Sequence, residues 1–276
     1  MPEFGARLDE AFGRYGHLCL GIDPHPFLLE SWGLPDTADG VRDFALRAVD
    51  AAAGTIGVVK PQVAFFERHG SAGYAALETV LGAARAAGLL VIADAKRGDI
   101  GSTLEAYGQA WLTPGSPLEA DAMTLSPFQG VAALESAVQL ARRSGKGVFV
   151  LAATSNPESR AVQLALPAAG ATVAAAIVGE VDALNEGDRL GSVGVVLGAT
   201  VRFDDFGLDS SLLAYTPILA PGFGEQGAAL GDIPSLYGDA AVNVIANVGR
   251  ALLRLGPDGL RDGLVRESEA LGRAVA

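Results

Sequence analysis

Short apolar runs recur along the chain, separated by stretches in which apolar residues return every three or four positions. The runs fall at 18–22, 55–59, 89–93, 121–125, 147–153, 193–197, 217–220 and 242–246. Most lack polar alternation, the pattern of strands covered on both faces in a parallel sheet. Between them the spacing predicts helices. Phe4, Leu8, Ala11, Phe12 and Tyr15 share a face of a lead-in helix over 3–15, and Val41, Phe44, Ala45, Ala48, Val49 and Ala52 share one over 38–53, ended by Gly54. Ser71 caps a helix carrying Tyr74, Leu77, Val80, Leu81 and Ala84, which stops at Gly88. Further helices are expected over 100–112, 131–143, 167–184 and 257–276, with a short one near 210–214. Pro24 and Pro26 are read as stopping both strand and helix after the first run. The stretch 202–209 reads as irregular and acidic.

Eight such runs in 276 residues, without a break in composition, predict an α/β fold made of one (β/α)8 TIM barrel over 1–276. Residues 1–16 would be its lead-in helix and 257–276 its capping helix. An open doubly wound sheet uses the same alternation but rarely needs eight strands at this length. Chemistry in such a barrel sits at the carboxyl ends of the strands. Those ends carry Asp23, Lys60, Asp94, Lys96, Ser155, Gln226 and Arg250.

The third run, LLVIADAKRGDIGST over 89–103, stands apart because Asp94, Lys96, Arg97 and Asp99 close an otherwise apolar segment. Asp94 and Lys96 share a strand face, and charge this dense is costly to bury unless it is paired. Lys60 converges on the same mouth, giving an alternating array of charges. Mutual pairing keeps such lysines protonated, so they suit proton donation rather than the neutral amine of Schiff-base chemistry. Gly222 to Gly227 spells GxGxxG, but it follows the seventh strand and has no acidic residue about 20 positions on. It reads instead as a glycine-rich phosphate loop, completed by Gly249 and Arg250.

Composition narrows the partners. Half of the residues are hydrophobic and 19% charged, which fits a globular chain. Twenty cationic against 32 anionic residues leave a net charge of -12, so no global basic field exists to hold nucleic acid or an anionic membrane. An anionic ligand must be met by local cations. Cys19 is the one cysteine and lies in LCLGI, which suggests a buried thiol and a reducing compartment. With no secretory leader and no apolar run of membrane-spanning length, a soluble cytoplasmic protein is expected. His17, His25 and His69 lie far apart, without metal-ligand spacing, so no metal is expected.

With these residues assembled, the chain resembles the orotidine 5′-phosphate decarboxylase family, in its longer bacterial subfamily (type 2). The most specific match is Asp94-x-Lys96-x-x-Asp99-Ile100. It is supported by Gly21-Ile22-Asp23-Pro24, Val59-Lys60-Pro61, Thr154-Ser155-Asn156-Pro157, Pro221-Gly222-x-Gly224-x-Gln226-Gly227 and Val248-Gly249-Arg250. The resemblance implies a carboxy-lyase that converts orotidine 5′-phosphate to UMP, the final step of de novo pyrimidine synthesis, without a cofactor. It makes Lys96 the proton donor to C6 and Asp94 the carboxylate facing the substrate carboxylate, with Lys60 and Asp99 completing the charged network. Asp99 and Thr103 are expected from the second subunit of a homodimer with shared active sites. Asp23 is implied to bind the ribose hydroxyl, Ser155 the pyrimidine amide, and Gln226 and Arg250 the phosphate, with Pro221 and Gly249 also against the substrate. Gly101 stands where many members have proline.

Two other readings stay open. Magnesium-dependent sugar-phosphate decarboxylases and synthases of the same suprafamily share Asp-x-Lys-x-x-Asp, but carry a metal-binding Glu where this chain has Lys60, which would repel a divalent cation. A catalytically silent phosphate-binding barrel is the third.

Overall fold

Eight parallel strands hydrogen-bond in chain order, and the eighth closes onto the first. They are β1 Leu18–Ile22, β2 Val58–Pro61, β3 Leu90–Arg97, β4 Ala122–Leu125, β5 Gly147–Ala153, β6 Val193–Leu197, β7 Ile218–Pro221 and β8 Val244–Val248. Leu20 pairs with Val59 on one side and Val248 on the other, which seals the ring and rules out the open sheet. This computed structural model describes residues 2–167, 170–185, 190–225 and 227–275.

The unbroken apolar runs follow from burial on both faces. Alternate residues divide between two clusters: Leu18, Leu20, Val59, Val91 and Ala93 pack outward against the helices, while Cys19, Val58, Leu90, Ile92, Ala122, Phe149 and Ile245 fill the barrel. The lead-in helix Phe4–Tyr15 adds Phe4, Leu8 and Phe12 to the inner cluster and so plugs the amino-terminal end. The rings of Phe4 and Phe149 meet edge to face at 5.9 Å. Gly147 and Gly194 make room for them, because a Cβ at either position would run into one of those rings. Parity then selects what lies above this plug. Two residues beyond the inward Val58, Ile92, Ala122, Phe149 and Ile245 come Lys60, Asp94, Thr124, Leu151 and Asn247.

Element boundaries differ from expectation where a turn uses residues that look like strand. The second strand starts at Val58 rather than 55, because Thr55 and Ile56 donate back to the Ala52 carbonyl as the helix Ala38–Ala52 unwinds. The eighth starts at Val244, since 3-10 turns over Gly238–Asn243 leave Val242 exposed. Pro26 does not stop a helix but begins one, Pro26–Ser31, where its fixed φ suits the first helical position. The helix expected over 131–143 splits into a 3-10 turn, Val131–Leu134, and an α-helix, Glu135–Ser144. The helix expected over 167–184 occupies Val173–Asp182, with Thr172 Oγ1 accepting from Ala175 N at 3.0 Å, and residues 168–169 lie outside the described ones. The acidic stretch holds a turn of helix, Phe203–Phe206, and the short helix expected near 210–214 is a 3-10 turn, Ser210–Leu213. The last helix spans Gly256–Val275.

Candidate active site

The carboxyl ends of the strands surround a cavity of about 260 Å³. At its floor the Asp94 carboxylate accepts four hydrogen bonds. Oδ2 takes Lys60 Nζ at 2.8 Å and Gln62 Nε2 at 2.9 Å; Oδ1 takes Lys96 Nζ at 2.6 Å and Thr124 Oγ1 at 2.9 Å. Four donors occupy the whole acceptor capacity of a carboxylate. Asp94 is thereby fixed in orientation and left with charge, but no free lone pair, to offer a ligand.

The two lysines differ in exposure. The Lys60 side chain is 4% exposed, whereas that of Lys96 is 46% exposed and faces the cavity. Burial opposes the charge on Lys60, but Asp94 and Asp23 more than reverse it and raise the ammonium above the usual lysine range. Burial likewise opposes ionisation of Asp94, and Lys60 with Lys96 overturns it, holding the carboxyl well below the usual carboxylate range. Behind them, burial pushes the Cys19 thiol up to about 12, so it stays neutral and donates to Asn247 Oδ1 at 3.6 Å.

The backbone beneath Lys96 is irregular. Pairing of β3 with β4 moves from Ala93 opposite Met123 to Arg97 opposite Leu125, which leaves three residues facing Thr124 alone. Among the described residues, Lys96 is the one non-glycine with positive φ, at 48°. A conformation of that kind costs on the order of 1–3 kcal/mol and persists only where its surroundings impose it. Here Lys96 N donates to Thr124 Oγ1 at 2.9 Å. The next residue, Arg97, is clamped by an ion pair to Glu67 and a bond from Nη1 to the Ala95 carbonyl at 3.0 Å.

The opposite side of the cavity suits an anion. Arg250 opens the helical turn Arg250–Leu253 after β8, lines the cavity, and has no ion pair among the described residues. Beside it the loop after β7 turns through Gly222 and Gly224 at φ of 116° and 79°. A Cβ on Gly224 would also approach Ala251 Cβ to 2.9 Å. Asp23, past the end of β1, lines the cavity with Oδ1 buried and without a hydrogen-bond partner among the described residues.

Seven of the expected residues, Asp23, Lys60, Asp94, Lys96, Pro221, Gly249 and Arg250, therefore line one cavity. Asp99 does not; its Oδ1 accepts from Ile100 N at 2.8 Å. Thr103 is exposed on the helix Gly101–Leu112, and Ser155 is exposed beside the lining residue Thr154. Gln226 lies outside the described residues. Gln62, Thr124 and Asn247 were not expected. Each follows an inward residue by two, so strand parity turns Thr124 inward within the expected 121–125 run, and would reach Gln62 and Asn247 if the runs ending at 59 and 246 were extended.

A family model described as "Orotidine 5'-phosphate decarboxylase / HUMPS family" matches residues 16–259, a span that holds all eight strands. Proteins from Salinispora tropica and Nocardioides sp., both named orotidine 5′-phosphate decarboxylase, are similar throughout. The first is 51% identical over 261 residues, covering 94% of this chain and 92% of its own; the second is 49% identical over 276 residues, covering 98% and 99%. A crystal structure of a candidate orotidine 5′-phosphate decarboxylase from Streptomyces avermitilis has a TM-score of 0.95 at 49% identity and covers 100% of this chain and 96% of that one. The OMP decarboxylase of Leishmania donovani has a TM-score of 0.75 at 30% identity, with 98% of each chain covered. Barrel, charged floor and sequence agree, and this chain belongs to the orotidine 5′-phosphate decarboxylase / HUMPS family.

Proposed function

We propose that this chain decarboxylates orotidine 5′-phosphate to UMP, with Lys96 as proton donor. The observation that carries the reading is the Lys96 ammonium, half exposed to the cavity and held 2.6 Å from a carboxylate that is itself saturated with donors. When the bond from C6 to the carboxyl group breaks, its electron pair stays on C6 in the ring plane, where the ring π system does not delocalise it. A cation fixed beforehand at that position stabilises the developing charge without reorganising. Lys96 Nζ then gives its proton to C6 and regains one from water.

The other residues divide the binding. Asp94 faces the substrate carboxylate with a full charge and no open acceptor site, which disfavours the ground state as a secondary effect. Leu151, Val196 and Leu219 give the cavity an apolar wall, more hospitable to neutral carbon dioxide than to a carboxylate. A ribose hydroxyl donating to Asp23 Oδ1 removes the cost of that buried, unpartnered acceptor. Ser155 is assigned to the pyrimidine amide. Arg250, Gln226, Pro221, Gly249 and the glycine loop are assigned to the phosphate end, whose remote binding energy helps to organise the reacting centre. Lys60 separates this reading from magnesium-dependent sugar-phosphate chemistry: it is buried and bonded to Asp94 where a metal would require a carboxylate.

Residues 1–276 are read as one barrel domain, and two copies as a homodimer with shared sites. Asp99 and Thr103 lie outside their own chain's cavity, and the nearby loops after β3 and β4 leave Ile100 60% and Phe128 86% exposed, apolar surface suited to a second copy. Mixing Lys96→Ala with Asp99→Ala chains should then restore one working site per heterodimer. Absence of recovery after verified subunit exchange overturns the shared site. Among the described residues no helix is long and apolar enough to cross a membrane, which agrees with the cytoplasmic location proposed here. The function itself is tested by following loss of orotidine 5′-phosphate absorbance with purified protein, with and without chelator. Turnover in both is expected; protein that leaves the nucleotide intact overturns the assignment.

A further inference from the structure

We infer that Thr124 is a positioning residue for this reaction, its single hydroxyl fixing both the backbone of Lys96 and the carboxylate of Asp94. The inference rests on the decarboxylase reading and adds a residue outside those the resemblance implies. Thr124 is 1% exposed in β4. Its Oγ1 donates to Asp94 Oδ1 at 2.9 Å and accepts from Lys96 N at 2.9 Å. A hydroxyl has one proton and two lone pairs, so both bonds are made at once.

The consequence is a closed ring. From Thr124 Oγ1 it runs to Asp94 Oδ1, across 2.6 Å to Lys96 Nζ, down that side chain to its own backbone N–H, and back to Oγ1. A lysine carries its charge on a flexible four-carbon stem, and anchoring only the ammonium leaves the stem free to pivot. Here the ammonium is tied to Asp94 Oδ1 and the backbone N–H to Thr124 Oγ1, and those two atoms are hydrogen-bonded to each other. Sheet geometry shows why a side chain is needed. The β3–β4 ladder skips from Ala93 to Arg97, so the Lys96 N–H has left the regular ladder, and the Thr124 hydroxyl takes the place of a strand carbonyl. Gln62 and Lys60 bind the other oxygen of Asp94 and do not reach Lys96 N. A valine at this depth would pack as well as threonine while avoiding desolvation of a hydroxyl, so packing alone does not call for Oγ1.

The test compares Thr124→Val, which removes the hydroxyl and keeps the volume, with Thr124→Ser, which keeps the hydroxyl. With orotidine 5′-phosphate as substrate, Thr124→Val is expected to lower kcat by about tenfold to a hundredfold, the range of a hydrogen bond to a charged group. UMP affinity should stay within about threefold, and Thr124→Ser should recover kcat to within about threefold of the parent. If Thr124→Val does not fold, Thr124→Ala against Thr124→Ser gives the same contrast. A kcat within about twofold of the parent for the hydroxyl-free variant overturns the inference, as does an equal loss in Thr124→Ser, or kcat and UMP affinity falling together. A crystal structure of the hydroxyl-free variant separates this claim from the assigned activity. Lys96 should leave positive φ or withdraw Nζ from Asp94, and if it keeps both, Thr124 does not position it. A parent enzyme that fails to decarboxylate overturns the function instead, and the crystallographic result still decides the role of Thr124.

Discussion

Two buried carboxylates sit at opposite ends of the barrel, and both belong to ionic networks. Asp94, 7% exposed, lies near the carboxyl end of β3; Asp121, 5% exposed, immediately precedes β4 at the amino end. Asp121 Oδ1 pairs with Arg7 Nη1 at 2.6 Å and Lys146 Nζ at 3.5 Å, while Oδ2 accepts from Val91 N at 3.0 Å. Lys146 and Arg85 in turn each reach Glu119 at 2.7 Å. By burial and pairing the two clusters look alike. They differ in what the cation does. The Lys146 side chain is 2% exposed and pairs with Glu119 and with Asp121, which in turn holds the lead-in helix through Arg7 and β3 through Val91 N, whereas Lys96 is 46% exposed on left-handed backbone. A buried ion pair alone therefore does not mark a reaction site; a strained, half-exposed cation at the strand carboxyl ends does.

The comparison breaks most sharply at the two lysines. Lys96→Ala should lower kcat by about 10⁴-fold or more, since it removes both the electrostatic and the proton-transfer contribution, while UMP affinity changes by less than about tenfold. Single-turnover kinetics with equilibrium binding of UMP checks this, and near-normal kcat would remove Lys96 from the chemistry. Lys146→Met should do the opposite. Breaking a buried ionic network from one side costs about 3 kcal/mol of stability, read as a lower urea midpoint, with kcat within about twofold of the parent. A large loss of activity in the stably folded variant would mean that the base cluster takes part in turnover.

Much of this contrast is legible in the sequence, but not all of it. Eight apolar runs suffice for the barrel because a parallel sheet buried on both faces needs little else. Lys60, Asp94 and Lys96 stand out since charge at the end of an apolar run demands compensation. The network around Asp121 does not stand out: Arg7 lies on the lead-in helix and Glu119 and Lys146 lie in the connections before β4 and β5, and only closure of the ring brings them together. Thr124 and Gln62 carry no charge to mark them: parity turns both inward, but the bond from Lys96 N to Thr124 depends on the ladder skipping between Ala93 and Arg97, which the sequence does not reveal. Strand starts are misread at 55 and 242 because valine, isoleucine and threonine fill the preceding turns as readily as the strands.

Titration sharpens the comparison with the smallest effect. Asp94 is held below the usual carboxylate range, so its contribution to stability is complete above its unfolded pKa of about 4 and is lost as pH falls through its lower folded value. Burial also resists the charge on Glu119 at the other end, and its hydrogen bond from Lys146 overcomes this and lowers its pKa, so acid weakens both clusters. At the carboxyl end alkaline pH acts as well. Lys60 is raised, so its contribution is complete below about 10.4 and is lost as pH rises through its folded value. In Asp94→Asn the attraction that raises Lys60 is largely gone while its burial remains, so deprotonation should begin at lower pH. Because the native chain then releases the Lys60 proton before the unfolded chain does, the unfolding free energy from urea titrations should rise between pH 7 and pH 10 by on the order of 1 kcal/mol in Asp94→Asn relative to the parent. Equal pH dependence in the two proteins would mean that Asp94 does not hold the charge on Lys60, and the floor of the cavity would lose the electrostatic asymmetry that separates it from the base.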